Sequence, residues 1–220
     1  MYQHIDNENN KISLPAGKIV CVGRNYVAHA KELDNPIPSS PLLFIKPATS
    51  LVPFNNKMML DAALGEHHYE AELALLVGTK IDAKTPAPLK HIAGIGLALD
   101  LTLRDLQSEL KAQGHPWERA KAYDNSCPMT PFVPCDENTF AECIEYRFWQ
   151  NGELKQHGDS SLMIFPITEL LKDIARYFTL QPGDIVLTGT PKGVGSLAHG
   201  DELTLQLKSH TPWHGKVAID

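Results

Sequence analysis

Several features are missing from this chain, and each absence removes a class of function. Its four cysteines, Cys21, Cys127, Cys135 and Cys143, show no Cys-x-x-Cys spacing. In 220 residues they read as buried thiols of a reducing compartment, not as a disulfide frame. No cluster of lysine or arginine occurs, and the net charge is -6, which argues against a nucleic-acid or anionic-membrane surface. No apolar run reaches the roughly 18 residues of a membrane span. Met1 to Asn10 carries Asp6 and Glu8 without an apolar core, so it resembles neither a signal nor a transit peptide. A cytoplasmic protein with a small partner, neither nucleic acid nor membrane, is expected. Neither Gly-x-Ser-x-Gly nor a phosphate-binding Gly-x-Gly-x-x-Gly or P-loop is present, which removes the common serine-nucleophile and nucleotide readings. There is no internal repeat or disorder-like composition. With 43% hydrophobic residues the chain can bury one sizeable core.

What is present centres on Glu70-Ala71-Glu72-Leu73-Ala74-Leu75-Leu76-Val77-Gly78. The apolar run bounded by glycine reads as a buried strand, and strand alternation puts Glu70 and Glu72 on one face, roughly 7 Å apart. Two carboxylates so placed repel unless one keeps a proton or a cation lies between them. Ile92 to Leu99 is a second buried strand, and Asp100 ends it. Three oxygen ligands from two strands suit a hard divalent cation, Mg²⁺ or Mn²⁺, better than zinc. His67 and His68 are assigned no metal role, since alternation puts at most His68 on the glutamate face.

Other segments are read from their periodicity and turn residues. Lys18 to Gly23 is a short β-branched strand, and Arg24 to Leu33 forms about two turns of helix before Pro36. His29 and Glu32, three apart, share a face of that helix and can act as a base with its orienting carboxylate. Leu42 to Ile45 is a strand, which with the proline-rich loop before it can hold the short helix as a flap. A helix from Leu101 to Leu110 takes Thr102 as N-cap and Gly114 as its stop. Ile144 to Gln150, Asn151-Gly152 and Glu153 to Gln156 make a hairpin. Ile167 to Phe178 carries a helical apolar stripe, and Ile185 to Leu187 is a strand that runs into the glycine-rich Thr188 to Gly195, whose amides can hold a carboxylate. Leu203 to Leu207 and Lys216 to Ile219 close the chain as strands. Strands outnumber helices without βαβ alternation. The fold class is therefore α+β, mainly β, with a mixed sheet or β-roll, organised as an N-terminal segment over 1–17 and one domain over 18–220.

Taken together, Gly23-Arg24-Asn25-Tyr26, His29, Glu32, Phe44-Ile45-Lys46-Pro47, Glu70-Ala71-Glu72, Asp100, Arg104-Asp105, Lys121, Ser126-Cys127-Pro128 and Thr188 to Gly195 resemble the fumarylacetoacetate hydrolase family. The resemblance spans residues 18 to 220 and is nearest to the single-domain acylpyruvase and oxaloacetate decarboxylase/tautomerase branch. It implies a mixed β-sandwich roll, a homodimer, and Mg²⁺ or Mn²⁺ held by Glu70, Glu72 and Asp100. It also implies a His29–Glu32 dyad on a lid helix, Lys121 as a catalytic cation, and Arg24, Tyr26, Arg104, Gln107 and Thr190 as substrate contacts. A small 2-oxo acid is the implied substrate. The first expectation is hydrolysis of an acylpyruvate C–C bond through a stabilised pyruvate enolate. The alternatives are an oxaloacetate decarboxylase or keto-enol tautomerase, a 2-hydroxydienoate hydratase and, from another class, a non-catalytic domain whose cation only ties two strands.

Overall fold

The computed structural model describes residues 2–220. In chain order its strands are β1 (Ile19–Gly23), β2 (Leu42–Lys46), β3 (Leu51–Pro53), β4 (Met58–Leu60), β5 (His67–Tyr69), β6 (Ala71–Val77), β7 (Ile92–Leu99), β8 (Thr102–Leu103), β9 (Cys127–Met129), β10 (Val133–Pro134), β11 (Glu145–Gln150), β12 (Glu153–Asp159), β13 (Ile185–Leu187), β14 (Gly195–Ser196), β15 (Glu202–Leu207) and β16 (Trp213–Ile219). The helices are α1 (Val27–Glu32), α2 (Arg104–Gln113), α3 (Glu118–Lys121) and α4 (Ile167–Tyr177).

The largest sheet has the order β2-β1-β13-β6-β7-β9-β3, with β10 paired to β7. Its β1–β13 and β3–β9 pairs are parallel and the others antiparallel, so the sheet is mixed, as expected. A second sheet, β12-β11-β15-β16-β4, packs against one face of the first, and a small third one joins β14, β5 and β8. Between the large sheets lies the main core, built from Val20, Val22, Leu73, Leu75, Leu97 and Leu99 on one side and Tyr146, Phe148, Leu203, Leu205 and Val217 on the other. Ile167, Leu170, Leu171 and Ile174 of α4 close it, the stripe expected of an amphipathic helix. The opposite face of the large sheet, with Ile19, Cys21, Ala74, Leu76 and Leu187, is covered by Tyr2, Ile12, Leu14 and Ala16 of the N-terminal segment. Every residue of β6 is therefore buried, which explains why its sequence, apart from Glu72, is apolar and does not alternate.

The Asn151-Gly152 turn has φ of 53° and 78°, the positive pair that a two-residue hairpin of this twist requires. The cysteines are all free thiols. Among the described residues no helix is long and apolar enough to cross a membrane. Two local expectations are corrected. The helix expected to start at Thr102 begins at Arg104, because Thr102 pairs in β8 with His68 and turns its hydroxyl to the Asp100 carbonyl at 3.1 Å. The helix expected from Arg24 shortens to Val27–Glu32, since Asn25 is tied elsewhere.

Candidate active site

The antiparallel ladder of β6 and β7 sets Ala71 opposite Leu99 and Glu72 opposite Ala98. One residue beyond each strand, the Asp100 N–H donates to the Glu70 carbonyl at 2.8 Å, so the ladder itself brings the two acids side by side. Glu72 lies two residues on and shares Glu70's face. Each of the three acids offers an oxygen within 4.8 Å of the others. All three are buried, at 5%, 2% and 1% exposure for Glu70, Glu72 and Asp100.

Three cations answer them unequally. Lys121, at the end of α3, donates to Glu70 Oε2 at 2.8 Å and to Asp100 Oδ2 at 2.7 Å. Arg104, opening α2, donates to Glu70 Oε1 at 2.5 Å and to the Gln107 side chain at 2.7 Å. Lys46, at the end of β2, lies 2.9 Å from Asp100 Oδ1. Its ammonium is fully buried and donates to the carbonyls of Leu101 and Ser126, at 3.1 and 3.0 Å, and to that of Lys121. Glu72 makes no ion pair among the described residues; it accepts the Gly189 N–H at 2.7 Å. The titration shifts follow that division. Burial alone would raise Glu70, but Lys121, Arg104 and His29 outweigh it and hold it well below the usual carboxylate range. Burial, then the charges of Asp100 and Glu70, push Glu72 well above that range. Burial opposes the charge on Lys121, yet Asp100 and Glu70 keep its pKa above the ordinary lysine value.

A carboxylate buried beside two others without a countercharge is the arrangement a divalent cation relieves. Asp100 Oδ1 adds a second sign, since it accepts no well-aligned hydrogen bond although buried. The donor set of three carboxylate oxygens fits a hard divalent ion.

Above this floor, α1 and the glycine-rich loop form one wall. His29 is buried, with Nδ1 3.4 Å from Glu32 Oε2, and burial lowers its pKa against the raising influence of Glu70 and Glu32. Glu32 is fixed by the Gly193 N–H, 2.9 and 3.1 Å from its two oxygens. The loop amides thus hold two of the chain's own carboxylates, Glu72 and Glu32, and the flap helix is already seated. Asn25 clamps the wall: its amide donates to Thr188 O at 2.8 Å and Phe165 O at 3.1 Å and accepts the Phe165 N–H at 2.8 Å. Gly189 is required beside it, since a Cβ there would stand 2.6 Å from that of Asn25.

These parts enclose a cavity of about 40 Å³, lined by Glu70, Glu72, Asp100 and Lys121 below and by Arg24, His29, Arg104, Gln107, Lys111, Trp117 and Thr190 around it. It is far smaller than the roughly 300–1,000 Å³ that drug-sized ligands need. Ten of the eleven residues singled out in the sequence meet here or, for Glu32, directly behind His29. Tyr26 does not: it packs in the main core and does not line the cavity. His67 and His68 also turn elsewhere, His67 to Tyr123 Oη at 2.9 Å and His68 to Glu66 at 3.1 Å. Among the contributors that escaped the reading of the sequence as site residues are Lys46, Asn25 and Gln156, and the cavity-lining Lys111 and Trp117. Gln156, on β12, donates to Thr190 Oγ1 at 2.8 Å and accepts the Ala71 N–H at 2.8 Å. The only sequence signal for Lys46 and Asn25 was their place inside family motifs.

Residues 18–218 match the family described as fumarylacetoacetate (FAA) hydrolase, C-terminal. The oxaloacetate tautomerase YcgM of Escherichia coli (strain K12) is 44% identical over 213 residues, 96% of this chain and 97% of that protein. The mitochondrial oxaloacetate decarboxylase of Dictyostelium discoideum is 40% identical over 195 residues, 87% of this chain and 88% of that protein. Among solved structures, fumarylpyruvate hydrolase from Pseudomonas aeruginosa in complex with Mn²⁺ and pyruvate superposes with a TM-score of 0.89 at 31% identity, covering 99% of this chain and 95% of that one.

Proposed function

The chain belongs to the fumarylacetoacetate hydrolase family, and from that premise we propose that it interconverts the enol and keto forms of oxaloacetate with Mg²⁺ or Mn²⁺ held by Glu70, Glu72 and Asp100. The sequence alone puts acylpyruvate C–C hydrolysis first. The oxaloacetate alternative has the better support, because the relative that matches 96% of the chain carries that name, whereas acylpyruvate chemistry enters with more distant neighbours, the 31% identical fumarylpyruvate hydrolases. The observation that carries the proposal is a buried imidazole and a buried acid triad lining one small cavity.

Tautomerisation moves one proton between C3 and the oxygen on C2, so it needs a base near C3 and relief of negative charge at the oxygen. His29 supplies the base. Its lowered pKa keeps the imidazole neutral at physiological pH, and with Nδ1–H directed at Glu32 the free Nε2 takes the proton from the enol oxygen on C2 and delivers it to C3, or carries it the other way to form the enol. Glu32, held by the Gly193 amide, fixes the ring and favours the imidazolium that forms. Lys121 and Arg104 add positive charge beneath the substrate, and Gln107 and Thr190 contribute polar side chains to its walls. A divalent cation bound at the triad supplies a Lewis acid to the 2-oxo group.

Decarboxylation is the second reading, favoured by the Dictyostelium relative; it needs the same relief of charge but no base at C3. The test is the ultraviolet absorbance of enol-oxaloacetate, followed with Mg²⁺, with Mn²⁺ and with chelator, alongside pyruvate release. Metal-dependent loss of enol without pyruvate is expected, and His29→Ala should slow it by about two to four orders of magnitude. Pyruvate release at the same rate would select decarboxylation. Metal binding without acceleration of either process would end the proposal.

A further inference from the structure

The rim of the cavity carries two cations for which the chain provides no acid. Residues three or four apart on a helix share a face, so Arg104, Gln107 and Lys111 of α2 follow one another up the cavity wall. Arg104 is engaged by Glu70 and Gln107. Lys111, at the top, has one polar partner among the described residues, the neutral Oδ1 of Asn35 at 3.0 Å. Arg24 lines the same cavity, half-buried, with neither a hydrogen bond nor an ion pair among the described residues. Its backbone holds φ at 58°, a region that residues other than glycine rarely adopt. The next residue, Asn25, is clamped to Thr188 and Phe165, and backbone strain of this kind collects where a side chain has a task.

The two cations and Arg104 are close enough to oppose one another. Lys111 is pushed below the ordinary lysine value, by burial first and then by Arg24 and Arg104. A chain with 26 acidic residues and a net charge of -6 sets none of them against this pair. On the floor, by contrast, Lys46, Lys121 and Arg104 each meet a carboxylate of Glu70 or Asp100. The rim is thus the part of the cavity where cations stand without an acid.

We propose that Arg24 and Lys111 form a second anion subsite, which holds the distal carboxylate of a dicarboxylic 2-oxo acid while its 2-oxo carboxylate end lies over the acid triad. The inference rests on the 2-oxo acid reading given above and narrows it. The site selects dianions over monoanionic 2-oxo acids of similar length.

The test separates charge at the far end from everything else. Malate and lactate differ only in that malate has the distal carboxylate, and neither tautomerises. Calorimetric titration of each into the Mg²⁺-loaded protein should give tighter binding of malate. Lys111→Gln and Arg24→Gln should each reduce malate affinity about tenfold, the scale of one charge-assisted hydrogen bond, with lactate changed less than about twofold. Lys111→Arg should retain most of the preference. In turnover, Lys111→Gln should raise KM for oxaloacetate by a similar factor with little change in kcat. Lys111 is solvent-exposed, so its variants should fold, and thermal melting checks this for them and for the half-buried Arg24. Equal loss of malate and lactate affinity, or no loss of either, overturns the subsite. If the wild type leaves oxaloacetate unchanged but the malate preference responds to Lys111, the reaction assigned above fails and the subsite stands.

Discussion

Among the described residues two groups of three side chains hold ligand-type atoms within 4.8 Å of one another, Glu70/Glu72/Asp100 and Cys143/Glu145/Asp159, and they behave as opposites. The second sits where β11 meets the edge strand β12, with Glu145 directly across from Asp159. There the side chain of Glu145 is 44% exposed and flanked by Arg147 at 3.3 Å and His157 at 3.5 Å. Asp159 is occupied in accepting the Ser161 N–H at 2.8 Å and its hydroxyl at 2.7 Å. Water screens what repulsion remains, at about 1 kcal/mol for unit charges 4 Å apart. The first group, sealed between strands, cannot use water, and so draws on two lysines, an arginine and a backbone amide while still leaving Glu72 without a cation. Proximity of ligand atoms is common to both. Only burial turns it into a demand for a metal.

The contrast breaks most visibly through Lys121. Replacing it with Met strands Glu70 and Asp100 in the interior, and unfolding by denaturant in chelator should show a loss of about 3–5 kcal/mol. Arg147→Met beside the exposed group should change stability by no more than about 0.5 kcal/mol. Comparable losses would mean that the floor is better hydrated than its burial indicates. Next in size is cation affinity. Glu72→Gln should weaken Mg²⁺ or Mn²⁺ binding tenfold or more, on the usual scale of a lost charged ligand, while Glu145→Gln leaves it unchanged in calorimetry. Binding that follows Glu145 instead would transfer the metal to the sheet edge.

A smaller effect has a definite sign. Glu72 has a folded pKa above the 4.5 of an ordinary glutamate, so above pH 4.5 the unfolded chain has released a proton that the folded one retains. Metal-free stability therefore falls as pH rises through that window, by at most about 1.4 kcal/mol per unit. Subtracting the Glu72→Gln urea-midpoint profile from that of the wild type, between pH 5 and 8 in chelator, cancels the histidines and isolates the term. Glu145→Gln should leave the profile intact. The least effect concerns His29, whose lowered pKa puts the acid limb of kcat/KM below pH 6.5. Glu32 pulls that pKa upward, so Glu32→Gln should shift the limb further down while slowing turnover. A shift upward would show that Glu32 does not face the imidazole during catalysis.

Local chemistry was legible in the sequence wherever the cause was local. The β6 run, the Asn151-Gly152 hairpin and the α4 stripe followed from periodicity and turn residues. So did the triad, because acids that end or open apolar strands carry their own sign of cost. What escaped depended on distant partners. Lys46 reads as a charge before a proline, and its burial is decided by carbonyls of residues 101, 121 and 126 that converge on it. Arg104 follows Glu70 by 34 positions, so their pairing has no sequence spacing to announce it. Thr102 had the right side chain for a helix cap, but the third sheet claimed its backbone first. Tyr26 shared a motif with site residues and points into the core, so membership of a motif did not fix direction.

The Gly189 amide that steadies Glu72 lies 117 residues downstream of it, and this separation has a consequence in time as well as in space. On a chain emerging from the ribosome, Glu70, Glu72 and Asp100 are made before Lys121, and β6 waits for β13 to close its second edge. Until that strand arrives, one edge of the largely apolar β6 stands unpaired and Glu72 lacks its amide donor, the kind of late, non-local closure that slows folding and invites aggregation. A nascent chain interrupted before residue 185 would carry every acid of the triad and still lack the β13 edge and the amide that complete its floor. The carboxyl-terminal third of the protein, which contributes no member of the triad, thus decides when the site comes into being.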